Sequence, residues 1–466
     1  MGIVRKKEII DESTLMFSRK QIIRLLIPLI IEQFLTISIG LFDTMMISPK
    51  GEAAVSGVSL VDTINTLMIS LFAALATGGT VIAAQQLGNG KNKDASASAK
   101  QLLFTVMVLS VVVGLLCFIF NHQLIDFVYK PKDGASEQDM TEILSNAYIY
   151  FYVSALSYPF IGLYNAQASL FRAMGNSRVT MLVALMVNGV NIIGNALFIH
   201  VFDMGTMGAG LATLISRALA ALVLFVLFIK KKDMPISFGE LEMIKPDGKI
   251  IKKILSLGIP SGIENSIFHV GKVMVASLVS TFGGAAVAAN AVSGSVLGFG
   301  DLAGSAIGLA MITVVGQCIG AGKLDQADYY IKKLMKNTYV LLFFVRIAII
   351  IFAPQICKYM FSLKPESTEI AVKIMRWHSV NAIVFWPTAF ALPNALRAAG
   401  DVKYTMVVSS IAMWVCRIGL SFVFAKYMGM GVFGVWVAMT CDWYLRTVMF
   451  VIRFVRGKWK LRGSLV

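Results

Sequence analysis

Charged residues are scarce in this chain. Of its 466 residues only 15% are Asp, Glu, Lys or Arg, whereas 57% are hydrophobic, and the mean hydropathy is +0.74. Ordinary soluble proteins carry about 25% charged residues. The composition therefore excludes a soluble globular protein and indicates one that lies in a lipid bilayer.

Disulfide and metal-binding motifs are also missing. The five cysteines lie scattered in apolar runs, without a C-x-x-C or Cys/His cluster, which argues against a disulfide framework or a zinc site. The N-terminal segment up to Lys20 lacks the apolar core and cleavage site of a signal peptide, so we expect this segment to stay on the protein.

Long apolar segments, by contrast, are abundant. A helix needs roughly 20 residues to cross the hydrocarbon core. The pattern predicts about twelve such helices, at 21–47, 59–87, 101–121, 143–171, 179–200, 208–229, 254–282, 291–318, 337–361, 366–395, 404–425 and 432–455. We therefore predict an all-α polytopic membrane protein with an N-lobe at 1–229, a linker at 230–253 and a C-lobe at 254–466.

The second half of the chain repeats the first. A constant shift places Pro28 on Pro260 and Glu32 on Glu264, and the register continues without a gap to a Gln…Gly-x-Gly-Lys pattern at the ends of the second and eighth segments. Such a register indicates an internal duplication. Because each copy has six helices, a pseudo-two-fold axis along the membrane normal should relate the lobes and leave a cleft between them.

Basic residues are distributed unevenly between the two sides of the membrane. Of the 42 lysines and arginines, 29 lie in one alternate set of loops and 8 in the other. Cytoplasmic loops carry the excess of such residues. We therefore expect both termini and the linker to be cytoplasmic in a multi-pass protein of the cell (inner or plasma) membrane, and we expect no nucleic-acid partner.

Several sequence motifs resemble those of the multidrug and toxic compound extrusion (MATE) transporters. They are IPLIIEQ…FDTMM in the first segment, AAQQLGNGK and VVGQCIGAGK at the ends of the second and eighth, and the turns RAMGN and RAAGD. The resemblance covers nearly the whole chain. It implies cation-coupled export of organic compounds, often cationic and amphiphilic, through an alternating-access cleft, with membrane lipid and small substrates as partners.

The resemblance also implies a cation-coupling site in the N-lobe. Asp43 stands at the position of the family's acid, Asn191 and Asn195 match its polar pair, and Thr213 matches a threonine that completes the site. Asn195 stands where an aspartate can occur, and one charge fewer should weaken Na⁺ binding. The coupling ion is thus H⁺ or Na⁺, with no other cofactor. The alternative is a hydrogen-bond cluster that only stabilises the lobe.

Other ionisable residues lie within the apolar segments. Asp62 and Asp301 should face the cleft, because charge inside a membrane is costly unless it meets protein, water or a ligand. In the seventh segment Glu264, His269 and Lys272 could form a compensated charge group or a proton relay.

Glu32 and Glu264 each stand four residues after a proline, at equivalent places of the repeat. If the first and seventh helices line the cleft, the two carboxylates should approach when the inner side closes, so that one is protonated or both hold a cation. Protonation of the pair would then depend on whether the inner side of the cleft is open or closed. The alternative is that each carboxylate bonds to the backbone loosened by its proline.

Two other functions compete with the exporter. A membrane enzyme would need a polar cluster at an interface. His122 with Asp126 is a candidate His/Asp pair but has no companion acid or nucleophile nearby, so we expect no enzyme. A lipid-linked-sugar or lipid flippase of related two-lobe architecture is closer, but an anionic substrate would favour a cleft rich in Arg and Lys. When the residues assigned to the loops are left out, the predicted segments carry six acids, Glu32, Asp43, Asp62, Glu264, Asp301 and Asp442, against five bases. This balance favours cationic cargo, handled by a monomer.

Overall fold

A computed structural model describes residues 14–128, 137–231, 233–238 and 245–462. The helices of the first half are α1 (Arg19–Ile47), α2 (Glu52–Gly88), α3 (Asn92–Ile119), α4 (Asn121–Val128), α5 (Glu137–Ala173), α6 (Ser177–Asn195) and α7 (Gly205–Lys230). Those of the second half are α8 (Gly248–Ser280), α9 (Gly284–Gly320), α10 (Leu324–Gln355), α11 (Pro365–Trp386), α12 (Leu392–Ala398), α13 (Val402–Ile411) and α14 (Gly431–Val455).

Wider π-helical turns extend several of these helices. They are Ala196–Val201 after α6, Ile356–Met360 after α10, Pro387–Ala391 between α11 and α12, and Ala412–Gly419 and Phe422–Tyr427 after α13; short 3₁₀ turns lie at Ser48–Lys50 and Lys458–Arg462. A proline inside a helix removes a backbone hydrogen bond, which accounts for the irregular turn that begins at Pro387.

The twelve predicted membrane crossings are all present as helices. The N-lobe comprises α1, α2, α3, α5, α6 and α7, and the C-lobe comprises α8, α9, α10, α11 continued by α12, α13 with its π-turns, and α14. Within the described part of the chain, nine helices are long and apolar enough to cross a membrane by composition alone. The other three, α5, α8 and α11, carry more polar residues.

The helices extend beyond the predicted apolar segments because polar caps, rather than hydropathy, set their ends. α8 begins at Gly248 instead of 254, where the carboxylate of Asp247 accepts hydrogen bonds from the backbone N–H groups of Lys249 and Ile250 at 2.8 and 3.3 Å. Such capping satisfies N–H groups that have no partner within the helix. The lobe limits at 1–229, 230–253 and 254–466 stay a prediction, although the end of the predicted linker is helical.

The duplication is visible in the backbone. Both α2 and α9 have 37 residues, and each follows a glycine in the left-handed region, Gly51 at φ 104° and Gly283 at φ 87°. The shift that places Pro28 on Pro260 also places Gly51 on Gly283. Only glycine adopts this conformation without strain, so the same backbone turn starts both helices.

The lobes meet on the side of the membrane that holds residues 233–238 and 245–247, which we call the linker side. A Cβ added at Gly88 would lie 2.0 Å from the backbone oxygen of Gln317, and one added at Gly320 would lie 1.9 Å from that of Gln85. This reciprocal contact follows the two-fold relation. It brings the linker-side ends of α2 and α9 so close together that neither glycine could carry a side chain.

Contact between the lobes continues from these helix ends to mid-membrane. A Cβ added at Gly78 of α2 would lie 2.7 Å from the backbone nitrogen of Gly258 of α8, and Asn265 of α8 donates to the Ser70 carbonyl at 3.2 Å. Among the described residues, no hydrogen bond joins the remaining part of α2, residues 52–69, to the C-lobe. The space between the lobes is thus closed on the linker side.

Candidate functional site

A chain of hydrogen bonds crosses the interior of the N-lobe. Asn191 of α6 donates to Thr213 Oγ1 of α7 at 3.2 Å, Asn195 donates to Asn191 Oδ1 at 3.3 Å, and Asn195 donates to Asp43 Oδ1 of α1 at 2.6 Å. The side chains of Asp43, Asn191, Asn195 and Thr213 are all buried. The structure therefore brings together the four residues that the sequence analysis grouped.

One oxygen in this network is free to bind a ligand. Asn195 Oδ1 is buried and accepts no hydrogen bond from the described residues, although it belongs to the amide that contacts the Asp43 carboxylate. Burying an unpartnered carbonyl oxygen costs free energy. The Asp43 carboxylate and this oxygen are both hydrogen-bond acceptors, and they belong to side chains that are in direct contact.

Asp62 of α2 borders the same polar interior. Asn65 donates to Asp62 Oδ1 at 3.3 Å and is itself an acceptor for the Tyr158 hydroxyl at 3.0 Å. Asp43 and Arg217 lie within electrostatic range of Asp62. The N-lobe thus holds two neighbouring acids that make no ion pair with a described residue.

Glu32 and Glu264 each bind an arginine of their own lobe. Arg172 Nη1 lies 2.6 Å from Glu32 Oε1, and Arg397 Nη2 lies 2.7 Å from Glu264 Oε1. Thr180 adds a hydrogen bond of 2.5 Å to Glu32 Oε2. In this conformation Glu32 and Glu264 therefore do not form the expected pair of like charges, because an arginine neutralises each carboxylate. The alternative, that each carboxylate bonds to the backbone near its proline, does not describe these side-chain partners either.

The sequence analysis missed the two arginines as partners of these glutamates. Arg172 and Arg397 belong to the turns RAMGN and RAAGD, and they were counted as loop residues. Both side chains instead point into the lobes and are largely buried. The count of charges in the predicted segments left these two buried arginines out, and once they are included the acids no longer outnumber the bases. The signal was present, because the repeat duplicates both the acid and the arginine.

The same two turns hold the lobes together. Gln85 Nε2 of α2 donates to the carbonyl of Ala398 at 2.8 Å, and Gln317 Nε2 of α9 donates to the carbonyl of Ala173 at 2.6 Å. Each glutamine thus reaches the turn of the opposite lobe. We call these two hydrogen bonds the glutamine clasp.

The three ionisable residues predicted to act together in α8 lie in different surroundings. Glu264 binds Arg397, whereas the His269 ring lies 2.7 Å from Ser70 Oγ of the N-lobe. Lys272 is exposed and lies 5.6 Å from the centre of the Phe268 ring. The structure therefore shows an ion pair, a contact between lobes and an exposed cation, and it does not join them into one relay.

The C-lobe interior is a network of ion pairs around a small cavity. Asp301 pairs with Arg346, and Asp442 binds Arg446 at 2.7 Å. Glu264, Phe268 and Arg446 are among the residues that line a cavity of about 190 Å³. Among the described residues no group of three His, Cys, Asp or Glu side chains could hold a metal ion.

Two helical lobes, a buried polar network in the N-lobe and a contact that closes one side of the space between the lobes are features typical of membrane transporters. A family model described as MatE matches residues 28–197 and again residues 260–423. The chain belongs to the MatE family. The two matches begin at Pro28 and Pro260, the first paired residues of the internal repeat.

Similar proteins match along nearly their whole length. The probable multidrug resistance protein NorM of Thermotoga maritima is 26% identical over 457 residues, which is 96% of this chain and 94% of that protein. The probable multidrug resistance protein YoeA of Bacillus subtilis is 25% identical, with 93% of each chain covered.

Solved structures show the same fold. A MATE crystal structure in the bent conformation superposes with a TM-score of 0.84 at 21% identity, and an outward-facing multidrug resistance MATE transporter with 0.82 at 23% identity. Each covers 95% of this chain and 95% of its own. The predicted fold class of twelve transmembrane helices in two lobes is confirmed, as is the family resemblance.

Proposed function

We propose that this protein exports organic compounds, mainly cationic amphiphiles, in exchange for H⁺ or Na⁺ by alternating access. The observation that carries the proposal is the buried network from Asp43 through Asn195 and Asn191 to Thr213. Its one carboxylate and one unpartnered amide oxygen suit a single cation. The names of the NorM and YoeA relatives support multidrug export.

Cationic cargo is supported by the N-lobe rather than by the whole chain. Asp43 and Asp62 make no ion pair with a described residue, so their charge is available to a cation that enters the cleft. Competition between cargo and coupling ion for these acids would link the two movements, because a ligand shifts a conformational equilibrium only by its differential affinity for the two states.

The glutamine clasp supports a resting state that opens away from the linker side. We propose that the linker side is cytoplasmic, as the distribution of basic residues indicates, and that the protein works as a monomer in the cell membrane. With the native cysteines replaced, Asp233→Cys should react with a membrane-impermeant maleimide only in inverted vesicles, and Asp203→Cys only in intact cells. The opposite labelling would reverse the orientation.

Purified protein in liposomes tests the exchange directly. Movement of a cationic dye is recorded with an imposed proton gradient, with an imposed Na⁺ gradient and with neither. We expect one gradient to drive the dye and the no-gradient sample to stay at the rate of empty liposomes. If neither gradient drives movement of the dye, the proposal that the protein is an exporter is wrong.

A further inference from the structure

The C-lobe interior carries more basic than acidic groups. Its acids Glu264, Asp301 and Asp442 are all engaged by arginines, respectively Arg397, Arg346 and Arg446. Two further cations remain. Arg417 only shares Asp442 with Arg446, at 3.6 Å, and Lys272 forms no ion pair with a described residue.

Lys272 lies on the face of α8 that lines the cavity. Glu264, Phe268 and Lys272 follow one another at intervals of four residues, which places them on one side of a helix. The first two line the C-lobe cavity. Lys272 continues this row one turn further from the linker side, where its side chain is exposed.

A second cation lies at the same place. The guanidinium of Arg417 is 5.2 Å from the centre of the Phe268 ring, and the Lys272 ammonium is 5.6 Å from it. Both cations also lie within electrostatic range of each other, and Lys272 lies within range of Asp301 as well. Asp301 already pairs with Arg346, and Asp442 is shared between Arg446 and Arg417, so these acids compensate the two cations only in part. Two like charges beside an aromatic ring inside a membrane protein are unfavourable unless an anion or water compensates them.

The repeat shows that this cluster is not part of the shared scaffold. In the register that places Pro28 on Pro260, Lys272 corresponds to Gly40 and Phe268 to Thr36. Glu264 and Arg397, by contrast, have charged counterparts in the N-lobe. A residue that serves only helix packing would not need its charge in one copy and a glycine in the other.

We propose that Lys272 and Arg417 form an anion-accepting subsite on the C-lobe wall of the cleft, which binds the carboxylate of an amphiphilic aromatic cargo. This inference rests on the proposed function, since it assigns the subsite to exported cargo. The cationic end of the same molecule faces the N-lobe acids Asp43 and Asp62. A zwitterionic cargo is then bound at its cationic end by the N-lobe acids and at its carboxylate by the C-lobe subsite, whereas a cargo that carries only a positive charge is bound by the N-lobe acids alone.

Rhodamine 6G and its free acid, rhodamine 19, provide a matched pair of probes, because both carry the same cationic ring system and only the free acid carries a carboxylate, which makes it a zwitterion at neutral pH. Their equilibrium binding to the full-length protein in detergent is measured by fluorescence polarisation, without any ion gradient. We expect the wild-type protein to bind the free acid more tightly. Lys272→Gln should weaken binding of the free acid about ten-fold, the loss of roughly one charge-assisted contact, and leave binding of the ester within two-fold.

Two variants complete the test. Lys272→Arg should retain the preference for the free acid, because it keeps the charge. Lys373→Gln is the matched control, since Lys373 also lies over a phenylalanine ring, Phe433 at 4.4 Å, and it should change neither affinity. A wild-type protein that binds the free acid no more tightly than the ester, or a Lys272→Gln variant that weakens both dyes equally, would overturn the subsite. Because no gradient is imposed, failure of coupled export leaves this result unaffected.

Discussion

The two lobes share a scaffold but not an interior. Glu32 with Arg172 in the N-lobe repeats as Glu264 with Arg397 in the C-lobe, at N···O distances of 2.6 and 2.7 Å. Asp43, however, corresponds to Val275 in the same repeat register. The duplicated residues hold the lobes in shape and against each other, so the residues that differ are the ones that we assign to ion and cargo.

The largest effect should follow from removing the unduplicated acid. Asp43→Asn keeps the shape of the side chain and its hydrogen bond with Asn195, but it deletes the charge that the coupling ion needs. We expect gradient-driven dye transport to fall to the level of empty liposomes, while the protein still elutes as a single species. The C-lobe counterpart variant, Val275→Ala, should retain more than half of the activity.

Asp203→Asn is the matched control for Asp43→Asn, because the same substitution is then made at an exposed surface site. A fully active Asp43→Asn protein would show that the N-lobe network is structural, and the difference between the lobes would lose its functional meaning.

The duplicated ion pairs should couple within each lobe and not between lobes. Removing one partner of a buried ion pair costs about 3–5 kcal/mol because the other charge stays unpaired. We expect Glu32→Gln and Arg172→Met each to lower the unfolding temperature, and the double variant to lose clearly less than the sum. Glu32→Gln with Glu264→Gln should be additive.

Thermal unfolding in detergent measures this cycle, with Glu264→Gln and Arg397→Met as the equivalent pair of the C-lobe. A non-additive Glu32→Gln/Glu264→Gln variant would restore the earlier hypothesis that the two carboxylates sense each other.

Most of the fold could be predicted from the sequence, and the partners of the charges could not. Hydropathy and the repeat register suffice for twelve helices and two lobes, since each depends on local composition or on comparison of the chain with itself. The pairing of Glu264 with Arg397 spans 133 residues, and a turn arginine looks the same in sequence whether it points to lipid headgroups or into a lobe.

The N-lobe group of Asp43, Asn191, Asn195 and Thr213 came from the family resemblance, because spacing alone relates only the two asparagines. Lys272 shows the opposite case. Its charge was evident, but its partners were not, since Arg417 reaches the same ring from a π-helical turn that hydropathy does not reveal.

The contact between α2 and α9 on the linker side should be equally sensitive to an added side chain at Gly88 and at Gly320. With the native cysteines replaced, Ala84→Cys and Gly316→Cys should cross-link, because a Cβ at Gly316 would lie 3.0 Å from that of Ala84, close to the roughly 3.5–4.5 Å typical of disulfides. Adding Gly88→Ala should reduce the cross-linked fraction several-fold, since its methyl group would collide with the Gln317 backbone. Gly320→Ala should do the same.

Gly294→Ala is the control for these two variants, because a Cβ there meets nothing within 4 Å. Unequal effects of Gly88→Ala and Gly320→Ala would mean that the two lobes do not contribute equally to the contact.

The smallest effect should come from the ion pair on the side opposite the linker. Lys50 forms an ion pair with Asp203. The hydrogen bond from Lys50 and its positive charge lower the pKa of Asp203 below its usual value. A carboxylate with a lowered pKa stabilises the folded state above its unfolded pKa of about 3.9, and this contribution is lost as the pH falls through the lower, folded pKa.

Because Asp203 is highly exposed, solvent screens the pair. Asp203→Asn should therefore lower the unfolding temperature by no more than a degree or so at pH 7, with a difference that 1 M salt reduces and that disappears as the pH falls through the lowered pKa of Asp203. Asn is suited to the positive φ of 56° at this position, so backbone strain should not obscure the result. A large loss at pH 7 that persists in high salt would show that the N-lobe depends on this pair for its stability on the side opposite the linker.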